Sequence, residues 1–258
     1  MRVAAVLGGK YLIGELKRLN SGDCRALLNA VRPVRPCRSP IVRGAVLSTR
    51  GPRPNNEDSA AVAIRQVGGS LYGLLAVADG VGGKERGELA STAAICYVLY
   101  RFFSDYALDE IWLADLYDDV HDVVARAASG GATTLTLGLI DIKARAVLAS
   151  NVGDSPLYLI DVDNRAVEDL TPDKDEHGRF ITQALGDKTY EGPHILKRNL
   201  STMHMVFLGV TDGVDDYVPR TAYLSALDAP SPLQYACALL RSAKQRTRDN
   251  ATVAVLRI

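Results

Sequence analysis

The stretch LYGLLAVADGVGG, residues 71–83, decides how this chain is read. An apolar run, Leu74-Leu75-Ala76-Val77-Ala78, climbs to a single carboxylate, Asp79, and then meets Gly80, Gly82 and Gly83. An unbroken apolar run of that length is the pattern of a strand buried on both faces. A helical pattern over residues 85–103 follows directly. An acid at the end of a buried strand, on a loop that only glycine makes tight, suits a metal or phosphate site. Asp-Gly is also a good turn in its own right, because both residues tolerate left-handed backbone. The other carboxylates have to decide between the two.

Outward from this stretch the pattern is two-layered. Residues 41–48 alternate as a strand, and residues 49–58 (TRGPRPNNED) form a polar loop. Residues 59–67 read as a strand, joined by a Gly68-Gly69 turn to the strand that carries Asp79. Two helical patterns come next. One places Leu89, Ala93, Cys96, Tyr97 and Tyr100 on a shared face; the other does so for Ile111, Leu113, Leu116, Val120, Val123 and Val124. Strands are expected at residues 133–142, 145–151, 156–162 and 165–170, with tight hairpins at 141–144 and at Asp163-Asn164. Further strands fit residues 180–185, 194–200, 204–210 and 251–258, and helices fit 221–227 and 233–245. Runs of strands with a helical pair between them point to antiparallel sheets packed on helices, an α+β class. Gly8-Gly9-Lys10 lacks the spacing of a Walker-type loop, and there is no Rossmann glycine fingerprint.

Residues 1–40 differ in character. A helical pattern over residues 12–31 runs into RPVRPCRSP, whose prolines end a helix and make an extended linker. The segment reads as an N-terminal extension: a docking arm, a helical cap, or a stretch upstream of the true start. Residues 41–258 read as one catalytic domain.

Thirty basic residues balance thirty acidic ones, which leaves no overall basic footprint for nucleic acid or an anionic membrane. No apolar run is long enough to span a bilayer, and Lys10 interrupts the first apolar patch too early for a signal peptide. The expected setting is the cytoplasm. Cys24, Cys37, Cys96 and Cys237 form no Cys-x-x-Cys pair, and His121, His177, His194 and His204 form no His-x-x-x-His pair, which argues against a zinc site.

Five acidic turns each adjoin an expected strand: Asn56-Glu57-Asp58, Asp79-Gly80, Gly153-Asp154-Ser155, Asp212-Gly213 and Asp249-Asn250. Sheets can bring such strand ends together on one edge. Carboxylates gathered there repel one another unless cations neutralise them. Oxygen ligands without His or Cys favour hard ions such as Mg²⁺ or Mn²⁺. Two such ions support in-line attack by activated water on phosphorus.

The same residues fall into an ordered set of motifs. These are R-x-x-N-E-D (residues 53–58), V-A-D-G-x-G-G (77–83), G-x-T-T (131–134), N-V-G-D-S (151–155), I-T-Q-A-L-G (181–186), T-D-G-x-x-D (211–216) and D-N-A-T (249–252). The set resembles the metal-dependent serine/threonine protein phosphatases of the 2C type, in a bacterial-like short form, from about residue 41 to the C-terminus. The resemblance implies a four-layer α-β-β-α sandwich of two antiparallel sheets flanked by helices. It implies hydrolysis of phosphoserine and phosphothreonine in proteins by a water that two Mg²⁺ or Mn²⁺ ions activate. Asp79 would bridge both ions, Asp212 and Asp249 would complete the first site, and Glu57 with the Gly80 carbonyl the second. Asp58 would hold water from behind the metals, and Asp154 with Asp212 matches the position of a third ion in bacterial-type members. Arg53 would bind the substrate phosphate, for which its planar fork is suited. Phosphorylated proteins are the implied partners, the chain acting as a monomer.

Three departures matter. Val81 stands where many eukaryotic members carry His, which removes a proton donor. Pro156 follows N-V-G-D-S where Arg is usual, so a strand must begin there or lie at an edge. Only PDKDEHGRF (residues 172–180) occupies the place of a much longer flap, which implies an open site; His177 within it reads as an exposed loop residue. Two rivals stand beside the phosphatase reading. One is a non-catalytic binding module on the same fold, whose mark would be a missing ligand. The other is a phosphatase for small phosphate esters, which an open site would suit.

Overall fold

The structure, a computed structural model, describes residues 42–258 apart from 82–85, 106 and 172–180, together with the backbone of residues 2–7, 10–15 and 37–38. Its strands are β1 Arg2–Leu7, β2 Lys10–Glu15, β3 Cys37–Arg38, β4 Arg43–Thr49, β5 Ser59–Val67, β6 Ser70–Ala78, β7 Leu135–Asp141, β8 Ala146–Val152, β9 Leu157–Asp161, β10 Ala166–Asp169, β11 His194–Asn199, β12 Met205–Val210 and β13 Ala251–Arg257. Helices are α1 Gly87–Ser104, α2 Glu110–Ala127, the single turn α3 Asp212–Asp215, α4 Arg220–Ser225 and α5 Pro232–Lys244. The strands form two antiparallel sheets, ordered β11-β8-β7-β6-β5-β1-β2 and β10-β9-β12-β13-β4-β3.

Strand alternation explains the layers. Along β6, Leu74, Ala76 and Ala78 pack outward against α1 and α2 with Leu99, Leu113 and Leu116. Leu75 and Val77 of the same strand face inward, onto Phe207, Ala254 and Leu256 of the second sheet. The outer face of that second sheet, with Ile160, Leu208 and Val253, is covered by Tyr223, Ala236 and Leu239 of α4 and α5. Both faces of each sheet are therefore buried, and an unbroken apolar run such as residues 74–78 results. The expected four-layer α-β-β-α sandwich is the observed fold.

Several details correct the sequence reading. Helix α1 buries Ala90, Ala94, Ile95, Val98, Leu99 and Phe102, while Leu89 is exposed. The expected face took Leu89 as its anchor and was rotated from the true one. In α2, Ile111 is exposed although Leu113, Leu116, Val120 and Val124 are buried. The helical pattern at residues 12–31 begins instead in β2, and residues 16–31 lie outside the described ones. Strand β1 pairs with β5 and β3 with β4, so the segment before residue 41 adds strands to both sheets. Residues 181–184 form no strand, and Leu185 makes an isolated bridge with Thr133. Pro156 directly precedes β9, as its missing N–H requires. Among the described residues no helix is long and apolar enough to cross a membrane.

Candidate metal centre and active site

The register gathers the acids. Ser59 lies opposite Ala78, so Glu57 and Asp58, which precede β5, meet Asp79, which follows β6. Leu135 opposite Val152 brings Asp154 to the same end of that sheet. In the second sheet Val210 opposite Val253 does this for Asp212 and Asp249. Glu57, Asp79, Asp154, Asp212 and Asp249 line one cleft of about 260 Å³ with Arg53, Pro54, Asn55, Gly80, Val81, Ile181 and Asn250.

Each acid is fixed by the backbone around it. The Asp79 N–H donates to Thr134 Oγ1 at 2.9 Å, and its carbonyl accepts from Thr134 N and Thr133 Oγ1 at 2.8 Å each. Gly80 donates from its N–H to the Glu57 carbonyl at 3.2 Å. A Cβ on Gly80 would sit 2.6 Å from the Gly87 carbonyl, so only glycine lets this loop close on the first turn of α1. A Cβ on Gly87 would lie 3.0 Å from Glu57 Oε2. The Glu57 carboxylate thus rests at the positive end of the α1 dipole.

The loop that carries Arg53 and Glu57 is pinned by Asn250. Its Nδ2 donates to the carbonyls of Arg50 and Asn55 at 2.8 Å each, and its Oδ1 accepts from Glu57 N at 2.8 Å. Gly51 has φ +60°, and a Cβ there would fall 2.2 Å from the Asp249 carbonyl. Arg53 Nη2 donates to Asp249 Oδ2 at 2.5 Å. Arg50, three residues before Arg53, turns its Nη1 to the Pro54 carbonyl and does not line the cleft.

Asp58 is fully buried behind the cleft; its Oδ2 accepts from Thr252 Oγ1 at 2.6 Å and Thr211 Oγ1 at 3.0 Å. Its Oδ1, and Oδ1 of Asp212, are buried without a hydrogen-bond partner. Burial first, and then repulsion from neighbouring carboxylates, push Asp58 up to about 7, Asp212 up to about 6 and Asp79 well above the ordinary range. Burial also raises Glu57, against the pull of Arg53. Among the described lining residues, Arg53 alone is a cation to offset this negative charge. Among the described residues no three His, Cys, Asp or Glu side chains are already closed around a single point. The donor set nonetheless fits hard divalent cations: it is all oxygen, it converges from both sheets, and it leaves buried acid oxygens without partners.

Sequence reading missed the residues that hold these ligands. Thr211, Thr252 and Asn250 stand inside the T-D-G and D-N-A-T motifs, yet their contacts form only when distant strands meet. Asp215 anchors the α3 turn that presents Asp212, accepting from Tyr158 Oη at 2.6 Å and Tyr223 Oη at 3.1 Å. His121 accepts at Nδ1 from Gly186 N at 3.2 Å and stacks on Tyr190, outside the cleft. Cys96 and Cys237 do not line it. Gly82, Gly83, the short loop at residues 172–180 with His177, and the side chains of Cys24 and Cys37 lie outside the described residues.

Comparison with known proteins agrees with this geometry. The family model of protein phosphatase 2C matches residues 51–252. Among solved structures, the catalytic domain of the serine/threonine protein phosphatase PstP in complex with two manganese ions is 26% identical with a TM-score of 0.67, covering 84% of this chain and 97% of that one. The Mycobacterium tuberculosis phosphatase PstP/Ppp is 25% identical with a TM-score of 0.65, covering 84% and 98%. The phosphatase MsPP from Mycobacterium smegmatis, in complex with cacodylate, is 26% identical with a TM-score of 0.64, covering 83% and 97%. No curated protein matches the chain in sequence. With a family model spanning most of its length and five of the motif acids lining one cleft, the chain belongs to the protein phosphatase 2C family.

Proposed function

We propose that the chain is a Mg²⁺- or Mn²⁺-dependent phosphatase for phosphoserine and phosphothreonine in proteins. The observation that carries the reading is a single cleft, lined from both sheets by five carboxylates and one arginine. Family membership and the manganese bound by a structural relative support it. In this reading Asp79, Asp212, Asp249, Glu57 and the Gly80 carbonyl would hold two ions, and Asp154 with Asp212 would hold a third. Such ions, when bound, would supply an activated water and offset charge on the phosphate. The chain does the rest. Arg53, freed from Asp249, clamps the phosphate oxygens through its planar fork. Asp58 offers its unpartnered Oδ1 to a water at the floor of the cleft. The proton for the departing serine or threonine oxygen comes from water, since Val81 offers no donor. Residues 41–258 act as the catalytic domain, the chain working as a cytoplasmic monomer without nucleic acid or membrane.

Phosphate release from a phosphoserine peptide, measured with Mn²⁺, with chelator, and with Asp79→Asn, tests this. Release should need the metal and vanish in the variant. Equal release by wild type and Asp79→Asn would overturn the mechanism.

A further inference from the structure

The chain is neutral overall, but its charge is not evenly spread. Residues 24–56 contain no Asp or Glu and end at Glu57; residues 229–248 contain none and end at Asp249. Both acid-free segments therefore run straight into the candidate metal ligands. The second segment carries Arg241, Lys244, Arg246 and Arg248, all exposed, and the first brings Arg53 to the cleft with Arg50 three residues before it, both exposed.

The two segments touch. Asn250 binds the Arg50 carbonyl at 2.8 Å, and a Cβ on Gly51 would lie 3.9 Å from Thr247 Cγ2. Thr247 is buried, with its Oγ1 accepting from Asp249 N at 3.1 Å, so Arg246 and Arg248 on either side of it are turned outward. Arg248 is one residue from a cleft-lining acid, and Arg50 is three residues from Arg53. Among the described residues neither Arg246 nor Arg248 forms an ion pair, and Arg50 reaches only a carbonyl. Cations in the last turn of α5 have an ordinary role in offsetting the helix dipole, which accounts for Arg241 and Lys244. That role does not extend to Arg246 and Arg248 beyond the helix, or to Arg50 on another loop.

We propose that this basic rim, built from Arg50, Arg246 and Arg248 beside the cleft, binds carboxylate side chains of the phosphoprotein substrate close to the phosphorylated residue. The proposal rests on the phosphatase reading above and specifies its substrate class as acidic phosphopeptides. An extended peptide advances about 3.3 Å per residue, so cations next to the phosphate-binding loop reach acids within about three residues of the phosphate. A set of like charges around a small cleft also raises the local concentration of an anionic ligand and speeds its capture.

The test uses the full chain and fluorescent phosphoserine peptides of equal length with Asp/Glu flanks or neutral flanks. Both equilibrium binding by anisotropy and kcat/KM are measured, at low and at high salt, for wild type and the double variant Arg246→Gln/Arg248→Gln. An aryl phosphate serves as the substrate without flanks. Wild type should favour the acidic peptide about tenfold at low salt, with the preference shrinking as salt rises. The double variant should lose the preference and keep its aryl phosphate turnover. Equal binding of the two peptides by wild type, or a preference that survives in the double variant, would overturn the proposal. A chain that hydrolyses nothing but still binds the acidic peptide preferentially through this rim would sink the catalytic reading and leave the rim standing.

Discussion

Aspartate does opposite things at the two ends of this sandwich. At one end the strands turn back in hairpins, where Asp141 Oδ1 accepts from Ala144 N at 2.8 Å and Asp161 Oδ1 from Asn164 N at 2.9 Å. These bonds span three residues, and they lower Asp161 below the ordinary carboxylate range. At the other end Asp58 finds its partners 153 and 194 residues away, in Thr211 and Thr252. There burial and mutual repulsion raise Asp58, Asp79 and Asp212. One end is satisfied by its own turns, and the other leaves buried acid oxygens of Asp58 and Asp212 without hydrogen-bond partners. The contrast teaches that a carboxylate's role is set by the element its neighbours come from, not by the Asp-Gly or Asp-Asn pair it sits in.

The largest expected effect breaks the unsatisfied end. Asp212→Asn should lower metal-dependent turnover at least about a hundredfold, read as phosphate release at saturating peptide. Next comes pH. An acid whose folded pKa is raised binds more protons in the folded state, so its contribution to stability is lost as pH rises from the ordinary 3.8 towards the raised values near 6 and 7. With chelator present, thermal melting should therefore occur at least about 3 °C higher at pH 5.5 than at pH 7.5. Added Mn²⁺ should reverse that order, because binding to the ionised acids stabilises the fold at neutral pH.

A smaller effect is expected at the anchor of α3. Asp215→Ala leaves the hydroxyls of Tyr158 and Tyr223 without their shared acceptor and should cost about 1–3 kcal/mol in denaturant unfolding. It should also raise the Mn²⁺ concentration needed for half-maximal stabilisation, since Asp212 loses its fixed turn. The smallest effect belongs to the satisfied end. Asp161→Asn should leave turnover unchanged and shift melting by less than about 1 °C, because an exposed turn bond is readily replaced by water.

This contrast also explains what the sequence could disclose. Turns are local, so the hairpin at Gly68-Gly69, with φ of 55° and 81°, and those beyond Asp141 and Asp161 were legible from residue type alone. The strands were legible because residues 60–64 and 74–78 are buried on both faces and read as unbroken apolar runs. The candidate ligands were legible as acids at strand ends, and their order matched a known family. Their supports were not. The Thr252 contact to Asp58, the triple grip of Asn250 on the Arg53 loop, and the Gly80–Gly87 approach all join segments far apart in the chain. Helix α1 misled because large apolar residues lie on more than one side of it: Ile95, Leu99 and Phe102 are buried, whereas Leu89 is exposed.

The central claim is that the acids at one end of the sandwich form a cation site that depends on Asp79. Calorimetric titration of the metal-free chain with Mn²⁺ at pH 7.5, beside Asp79→Asn, tests it most directly. Wild type should bind at least two ions per chain, and Asp79→Asn should lose most of that binding. Equal stoichiometry and affinity in the two proteins would contradict the account.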